Sequence, residues 1–443
     1  MHKKTYTLSI SIKSLTKNKL IRSILIVIGG TAGAQLITLL ASPIITRLYS
    51  PEAIGMLGSF IAILTILLPI AAFSYPMAIV LPKSNSEATT IANMSLRIVA
   101  VFSLIMLTIT LLLKEELSLF LGLTSDDVLF ITLALPCAIL LSTFLAVASQ
   151  WVIRHKLYKL GSQAIIAQSF TLNSLKIVLG LFAPFGKSLI ILSIIGTFVH
   201  SLLLLLFIRY KEKKLFWVPI GCKFDKKVAR KYITFPKYRS PQGLLANLNQ
   251  NMPIILLASF FGPIPAGLYT LCRSTLLIPV TLMAKSVNDV LFPQINEAYI
   301  NEQAISPLII KATWGLALLA LPPLIVFIMV GPELFAFAFG QDWEKAGSLS
   351  QWLTLWFYFS FINRACVAAI PVLRLERFLL VNSILNFLLS GLGFYLGYHF
   401  FNDYIYTIAT YSLFGIIPQI LIISFVIFNA KKYDNHLKTK LIN

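Results

Sequence analysis

Seven charged side chains interrupt otherwise apolar stretches of this chain: Arg97, Lys176, Arg273, Lys285, Asp289, Lys311 and Arg364. Six of the seven are cations. A charge in hydrocarbon costs about 2.5–3.5 kcal/mol even on lenient insertion scales, so one that stays there has a use. Proton relays and internal ion-pair networks need more acids than Asp289 alone. An excess of embedded cations instead calls for an anion brought from outside the chain. Depth sorts the seven. Lys176 lies about fourteen residues from one end of its stretch and about eight from the other, too deep for its stem to carry the ammonium to water. Lys311 is only about four residues, roughly 6 Å, inside and can snorkel. Arg97 and Arg364, about six residues in, face either a cavity or the headgroups, and Arg273 sits about five residues inside its boundary. Lys285 and Asp289 are four apart on one helix face and can neutralise each other. A coupling-ion role for Asp289 is the other reading.

Amides form the second group with chemistry to offer. Ser169, Asn173, Lys176 and Gly180 follow helical spacing and make one polar stripe; Asn382, Asn386 and Ser390 make another. Gly243, Asn247, Gln250 and Asn251 fall on or near one face, and Gln35 precedes them in an earlier apolar run. In lipid such groups either bind helices together or line a wet path and meet sugar hydroxyls. Their placement on matched helices favours the wet path. Other motifs fail. The run from Gly180 to Gly186, Lys187 and Ser188 has one residue too many for a phosphate-binding loop. The cysteines and histidines show no metal spacing or disulfide framework, so neither a metal nor a cofactor is expected. The acidic pair Asp126 and Asp127 is explained by helix capping.

These groups are positioned by long apolar segments. The chain is 57% hydrophobic and 12% charged, which excludes an ordinary soluble domain. Spans of about 20 apolar residues are expected near 24–46, 55–81, 91–113, 128–150, 162–184, 188–208, 241–261, 268–291, 307–330, 347–370, 378–398 and 405–428. The first run is too long for a signal-peptide core and is expected to stay. With the N-terminus placed in the cytoplasm, 27 of the 37 Lys and Arg fall on that side and four on the other. That asymmetry puts both termini in the cytoplasm by the positive-inside rule, and it accounts for the net charge of +20 without nucleic acid. The predicted organisation is a basic segment 1–22, a six-span lobe 23–208, a basic linker 209–240, a second lobe 241–428 and a tail 429–443. The linker is expected to lie against anionic headgroups, in part as a short amphipathic helix. A segment near 331–346 should form a partial helix at the outer interface with Trp343 at headgroup level, and 114–122 should be its counterpart.

The two lobes read as copies. Tyr49 to Gly55, with Pro51 and Gly55 four apart, is echoed by Phe261 to Gly267, with Pro263 and Gly267 four apart. Leu81 and Pro82 recur as Phe292 and Pro293, Gln35 as Asn247, and Ser169 and Asn173 as Asn382 and Asn386. A duplicated membrane unit belongs to transporters more often than to enzymes or anchors. With six spans per copy, the pseudo-symmetry axis runs along the membrane normal.

The residues Thr46 to Gly55, the second phrase from Phe261 through Gly267, Leu268 and Tyr269 with Arg273, and the segment from Gly331, Pro332, Glu333 and Leu334 to Gly340 together resemble the O-antigen and polysaccharide flippases of the multidrug/oligosaccharidyl-lipid/polysaccharide exporter superfamily. The second copy departs from the first, with Ile264 and Pro265 where the first has Glu52 and Ala53. The resemblance implies an all-α fold of about 12 transmembrane helices in two six-helix lobes around a central cavity, in a bacterial inner membrane. It also implies a substrate, an oligosaccharide repeat unit on undecaprenyl pyrophosphate, moved between leaflets by alternating access, and partners among polysaccharide polymerase and chain-length machinery. On this reading Lys176, Arg273 and Arg364, with Arg97, hold the pyrophosphate or acidic sugars, while Gln35, Asn173, Asn247, Asn251, Asn382 and Asn386 contact glycan or gate. The alternatives are a multidrug exporter of the same fold, which should present acidic rather than basic cavities, and a membrane polymerase or ligase, which would need a sizeable periplasmic loop. No catalytic residues are expected.

Overall fold

The computed structural model describes residues 19–116, 125–211 and 225–442. Among these residues there is no strand. The helices are α1 (Lys19–Leu48), α2 (Pro51–Ala71), α3 (Asn85–Leu112), α4 (Ser125–Arg154), α5 (Tyr158–Gly180), α6 (Gly186–Lys211), α7 (Lys226–Lys231), α8 (Ser240–Phe261), α9 (Pro263–Ile300), α10 (Ser306–Phe339), α11 (Glu344–Ile362), α12 (Arg364–Ala369), α13 (Glu376–Phe401) and α14 (Tyr404–Ile442). Among the described residues nine of them are long and apolar enough to cross a membrane: α1 to α4, α6, α8, α10, α13 and α14. Helices α5, α9 and α11 are not among these nine. The all-α, multi-pass expectation holds; a count of twelve spans is not established by it.

Two expected spans are interrupted. The stretch 55–81 is helical only to Ala71, then turns through Phe73 and Ser74 into a short 3-10 helix, Tyr75–Val80. The stretch 347–370 breaks at Asn363, between α11 and α12. The basic linker contributes α7, whose first turn is capped by Asp225 accepting from the Lys227 and Val228 amides, and then a π-helical turn, Phe235–Arg239. The remainder of that linker with Cys222, the 117–124 part of the outer segment, and the side chains of Asp126, Asp127, Lys285 and Asp289 lie outside the described residues.

The described residues fold as two compact units: those of 19–45 with 60–250, and those of 46–59 with 251–442. In the first unit, Tyr75, Ala78 and Ile79 of the 3-10 turn are buried with Ile91 and Met94 of α3, Trp151 of α4 and Leu204 of α6. Arg154 fixes that turn by donating to the carbonyls of Ile79 (3.0 Å) and Pro82 (2.6 Å) and to Asn85 Oδ1. Lys231 of α7 meets Glu87 at 2.6 Å, a pairing that raises the Lys231 ammonium pKa.

In the second unit the repeated phrases pack on each other. A Cβ on Gly55 would strike the Pro263 carbonyl oxygen, and one on Gly267 would strike the Pro51 carbonyl oxygen. The echo in the sequence is thus a reciprocal contact, and only glycine allows the two backbones to approach so closely. The segment after the bend at Val330 does continue as helix to Phe339. Trp343, however, is buried, not presented to headgroups: its indole Nε1 donates to the Thr46 carbonyl at 2.9 Å. An indole that finds a backbone acceptor inside the protein has no need of the interface. Arg47 donates to the Phe337 carbonyl at 3.2 Å, so the Thr46 to Gly55 phrase is a packing joint at both of its ends.

Candidate functional site

In the first unit the break in α2 organises a cavity. Pro69 has no N–H, so the Thr65 carbonyl four residues earlier loses its helical donor. Asn247 of α8 supplies one, its Nδ2 donating at 2.6 Å. The helix ends two residues later, and the Phe73 amide turns to Ile70 instead of Pro69. The Pro69 carbonyl is taken by Ser240 Oγ of α8 at 2.6 Å and by Ser74 Oγ at 3.3 Å. Gly243 lets α8 lie flat on the Pro69 ring. Irregular backbone at membrane depth survives only where its freed groups are re-satisfied or face water, and here two carbonyls are re-satisfied by one neighbouring helix. The resulting cavity measures about 380 Å³ and is walled by Ser74, Ser142, Thr143, Arg239, Gln242 and Asn247, over an apolar floor that includes Pro69, Pro76 and Met77.

The amide stripe of α5 is used differently. Ser169 donates to the Ala34 carbonyl at 2.8 Å, and Asn173 donates to Thr38 at 3.2 Å and to the Ser169 carbonyl at 2.8 Å. These bonds tie α5 to α1. Asn173 is buried by them, so it works as helix glue. Gln35, one turn from Thr38 on α1, keeps a buried Oε1 that accepts no hydrogen bond among the described residues. Lys176 follows Asn173 by one turn on α5 and is half-buried, as is Arg97 on α3.

In the second unit Arg273 of α9 and Arg364, the first residue of α12, are both half-buried. Arg273 follows the buried Tyr269 by one turn on α9. Arg364 Nε is buried with no hydrogen-bond partner among the described residues. An apolar cavity of about 140 Å³ lies in the same unit, walled by Leu276, Pro279, Pro323, Phe327 and Phe361 among others. Leu276 is one turn beyond Arg273, and Phe361 is three residues before Arg364. On α13, Asn382 is buried with an Oδ1 that accepts nothing among the described residues, and Asn386 follows one turn on. Asn251 of α8 is buried in this unit. Asp289 belongs to α9, and no described acid joins a metal-binding group of three or more.

Sequence reasoning missed Arg239, Gln242, Ser240 and Ser74. A signal was available, since Pro69 announces an orphaned Thr65 carbonyl that some donor must meet. Which helix supplies the donor depends on tertiary packing.

Residues 44–348, more than half of the chain, match a family model described as polysaccharide biosynthesis protein. The teichuronic acid biosynthesis protein TuaB of Bacillus subtilis (strain 168) is 27% identical over 137 residues, covering 31% of this chain and 28% of that protein. The alignment thus spans just over a quarter of that relative's length. The lipid II flippase MurJ, in an inward closed conformation, superposes with a TM-score of 0.70 at 16% identity, covering 95% of this chain and 92% of that one. An inward-facing multidrug resistance MATE family transporter of the MOP superfamily gives a TM-score of 0.67 at 13% identity, covering 92% and 96%. Identities this low establish a shared fold, that of multi-pass membrane transporters.

Proposed function

Given that the chain belongs to the polysaccharide biosynthesis protein family, we propose that it flips a lipid-linked oligosaccharide repeat unit between the leaflets of a bacterial inner membrane, from the cytoplasmic to the periplasmic face. The observation that carries this reading is the pairing of charge with apolar space in the second unit. Arg273 and Arg364 each lie about one helical turn, roughly 5 Å, from residues lining the apolar cavity. An anion on a hydrophobic chain, such as a polyprenyl pyrophosphate, needs both features at once. Guanidinium groups bind phosphate oxygens through charge-assisted hydrogen bonds, and Arg364 Nε has a donor to spare. Lys176 and Arg97 of the first unit would be further cations for phosphate or acidic sugars, and Gln35, Asn251, Asn382 and Asn386 are the amides that would meet sugar hydroxyls. Asn173 and Asn247 support the walls. The two lobes would rock about the substrate by alternating access, with both termini cytoplasmic. Asp289 is the candidate for ion coupling. Polymerase and chain-length machinery would take up the delivered unit, and no step requires a cofactor or catalysis by this chain.

Proteoliposomes carrying a labelled lipid-linked oligosaccharide test the proposal by the rate at which outer-face glycan becomes accessible to a lectin. The wild-type chain should raise that rate and Arg364→Ala should abolish the increase. Efflux of a cationic drug with no glycan exposure would support the multidrug-exporter reading, and growth of the glycan chain would support a polymerase.

A further inference from the structure

The cavity beside the broken α2 has the makings of a site in its own right. Two segments of irregular backbone meet there. Phe73 and Ser74 hold left-handed conformations (φ 47° and 55°) without being glycine, and Phe235–Arg239 forms a π-helical turn. Non-glycine residues in that region cost about 1–3 kcal/mol each and persist mainly at functional sites. π-Helical turns are rare and cluster at functional sites too. The hydrogen bonds from Asn247 and Ser240 hold the break in place, so it is a built feature.

The volume of about 380 Å³ falls in the range of small-molecule sites, about 300–1,000 Å³. Its polar groups have one character. Arg239 donates to Gln242 Oε1 at 3.1 Å, and no carboxylate lines the cavity among the described residues. Ser142 and Thr143 place two hydroxyls on the α4 side, while Pro69, Pro76 and Met77 offer apolar surface. A guanidinium for an anion, an amide and hydroxyls for hydroxyl groups, and an apolar floor for the C–H face of a ring together describe a phosphorylated sugar. An acyl chain would offer the Arg239 guanidinium no anion and the Ser142 and Thr143 hydroxyls no polar group.

We propose that this cavity of the first unit binds a phosphorylated sugar headgroup, with Arg239 on the phosphate and Gln242, Ser142 and Thr143 on the ring hydroxyls. The site rests on the flippase reading for its supply of ligand. It is separate from the cations embedded in the helices, because Arg239 belongs to the basic linker and reaches the cavity from its π-helical turn.

The test uses the full chain in phosphatidylcholine nanodiscs with a hexose 1-phosphate as probe, followed by calorimetry. The wild-type chain should bind the probe and discriminate against the neutral hexose. Arg239→Ala should weaken binding at least tenfold, Arg239→Lys should recover part of the loss, and the exposed-site control Lys345→Ala should leave binding unchanged. Gln242→Leu, which keeps Arg239, should weaken binding severalfold. Binding that ignores Arg239→Ala, or the absence of any wild-type binding, overturns the site. So does a cavity that takes phosphatidylglycerol supplied in the nanodisc, scored by competition, but not the hexose phosphate. Glycan exposure measured in proteoliposomes from the same preparation keeps the two readings apart. A chain that flips but whose probe binding is indifferent to Arg239 loses this site alone. A chain that binds the probe through Arg239 but never exposes glycan loses the flippase reading alone.

Discussion

Helices α2 and α9 begin alike. Pro51 and Pro263 occupy their first turns, and Gly55 and Gly267 each touch a carbonyl of the other phrase. Their far ends differ. α9 runs for 38 residues through Pro279 and Pro293, whereas α2 stops after 21 residues, two beyond Pro69. The difference lies in what a neighbour offers. Around Pro69, Ser240, Gly243 and Asn247 of α8 provide two donors and a flat surface, so the broken backbone is as well satisfied as a continuous one. Repetition in the sequence therefore fixes where paired helices start and how they touch. Chemistry enters where the copies stop matching.

The stripes on α5 and α13 repeat the lesson. Asn173 is hydrogen-bonded to α1, while its counterpart Asn386 lies one turn from Asn382, whose Oδ1 has no partner among the described residues. Ser169 serves as glue in one copy, donating to the Ala34 carbonyl, while its matched Asn382 keeps a buried Oδ1 without a partner among the described residues.

The harshest way to break the comparison is at the shared start. Gly55→Ala or Gly267→Ala drives a methyl into a backbone carbonyl that cannot rotate away. Each should cost about 3 kcal/mol, the upper end for overpacking, and lower the yield of folded protein in detergent together with its melting temperature. At the divergent end the effect should be smaller and conditional. Asn247→Leu leaves the Thr65 carbonyl without a donor, at about 1–3 kcal/mol. In a Pro69→Ala background, where a main-chain N–H returns at position 69, the same replacement should cost clearly less. A double-mutant cycle on thermal unfolding reads that coupling. Additive costs would show that Asn247 does not act through the proline break.

The stripes separate further. Asn173→Leu should cost about 1–2 kcal/mol through the lost bonds to Thr38 and Ser169. Asn382→Leu should leave the melting temperature equal or higher, because its Oδ1 satisfies nothing, yet it should slow glycan exposure if that atom meets substrate. Smallest of all is Lys231→Ala. Its partner Glu87 is close, but the lysine is exposed, and exposed pairs are screened by solvent. No resolvable change in melting temperature is expected.

Much of the fold was legible before any coordinates. Apolar run lengths announce the helices, and the echo of the two phrases is plain in the sequence, but that they meet at Gly55 and Gly267 came only from the structure. The interruptions were only half legible. Pro69 and Pro76 mark a weak point in the stretch 55–81, but Pro279 and Pro293 mark one equally in α9, which stays whole. Proline reveals an orphaned carbonyl and leaves unsaid whether a donor will arrive to stabilise a break. The same limit governs the site. Arg364 and Lys176 stood out because charge in an apolar run is conspicuous. Arg239 was hidden among the basic residues of the linker, where orientation in the membrane already explains positive charge. Trp343 was misplaced for a related reason: an indole near a helix end suits an interface, and only tertiary structure brings the Thr46 carbonyl to its N–H.

The measurement that bears most directly on the central claim is glycan exposure in proteoliposomes, comparing the wild-type chain with Arg364→Ala and Arg364→Lys at equal protein density. The account predicts rapid exposure by wild type, background exposure with alanine, and partial recovery with lysine, since a point charge replaces part of a guanidinium's hold on phosphate. Wild-type rates from Arg364→Ala, or a wild-type chain that exposes no lipid-linked glycan, would contradict it.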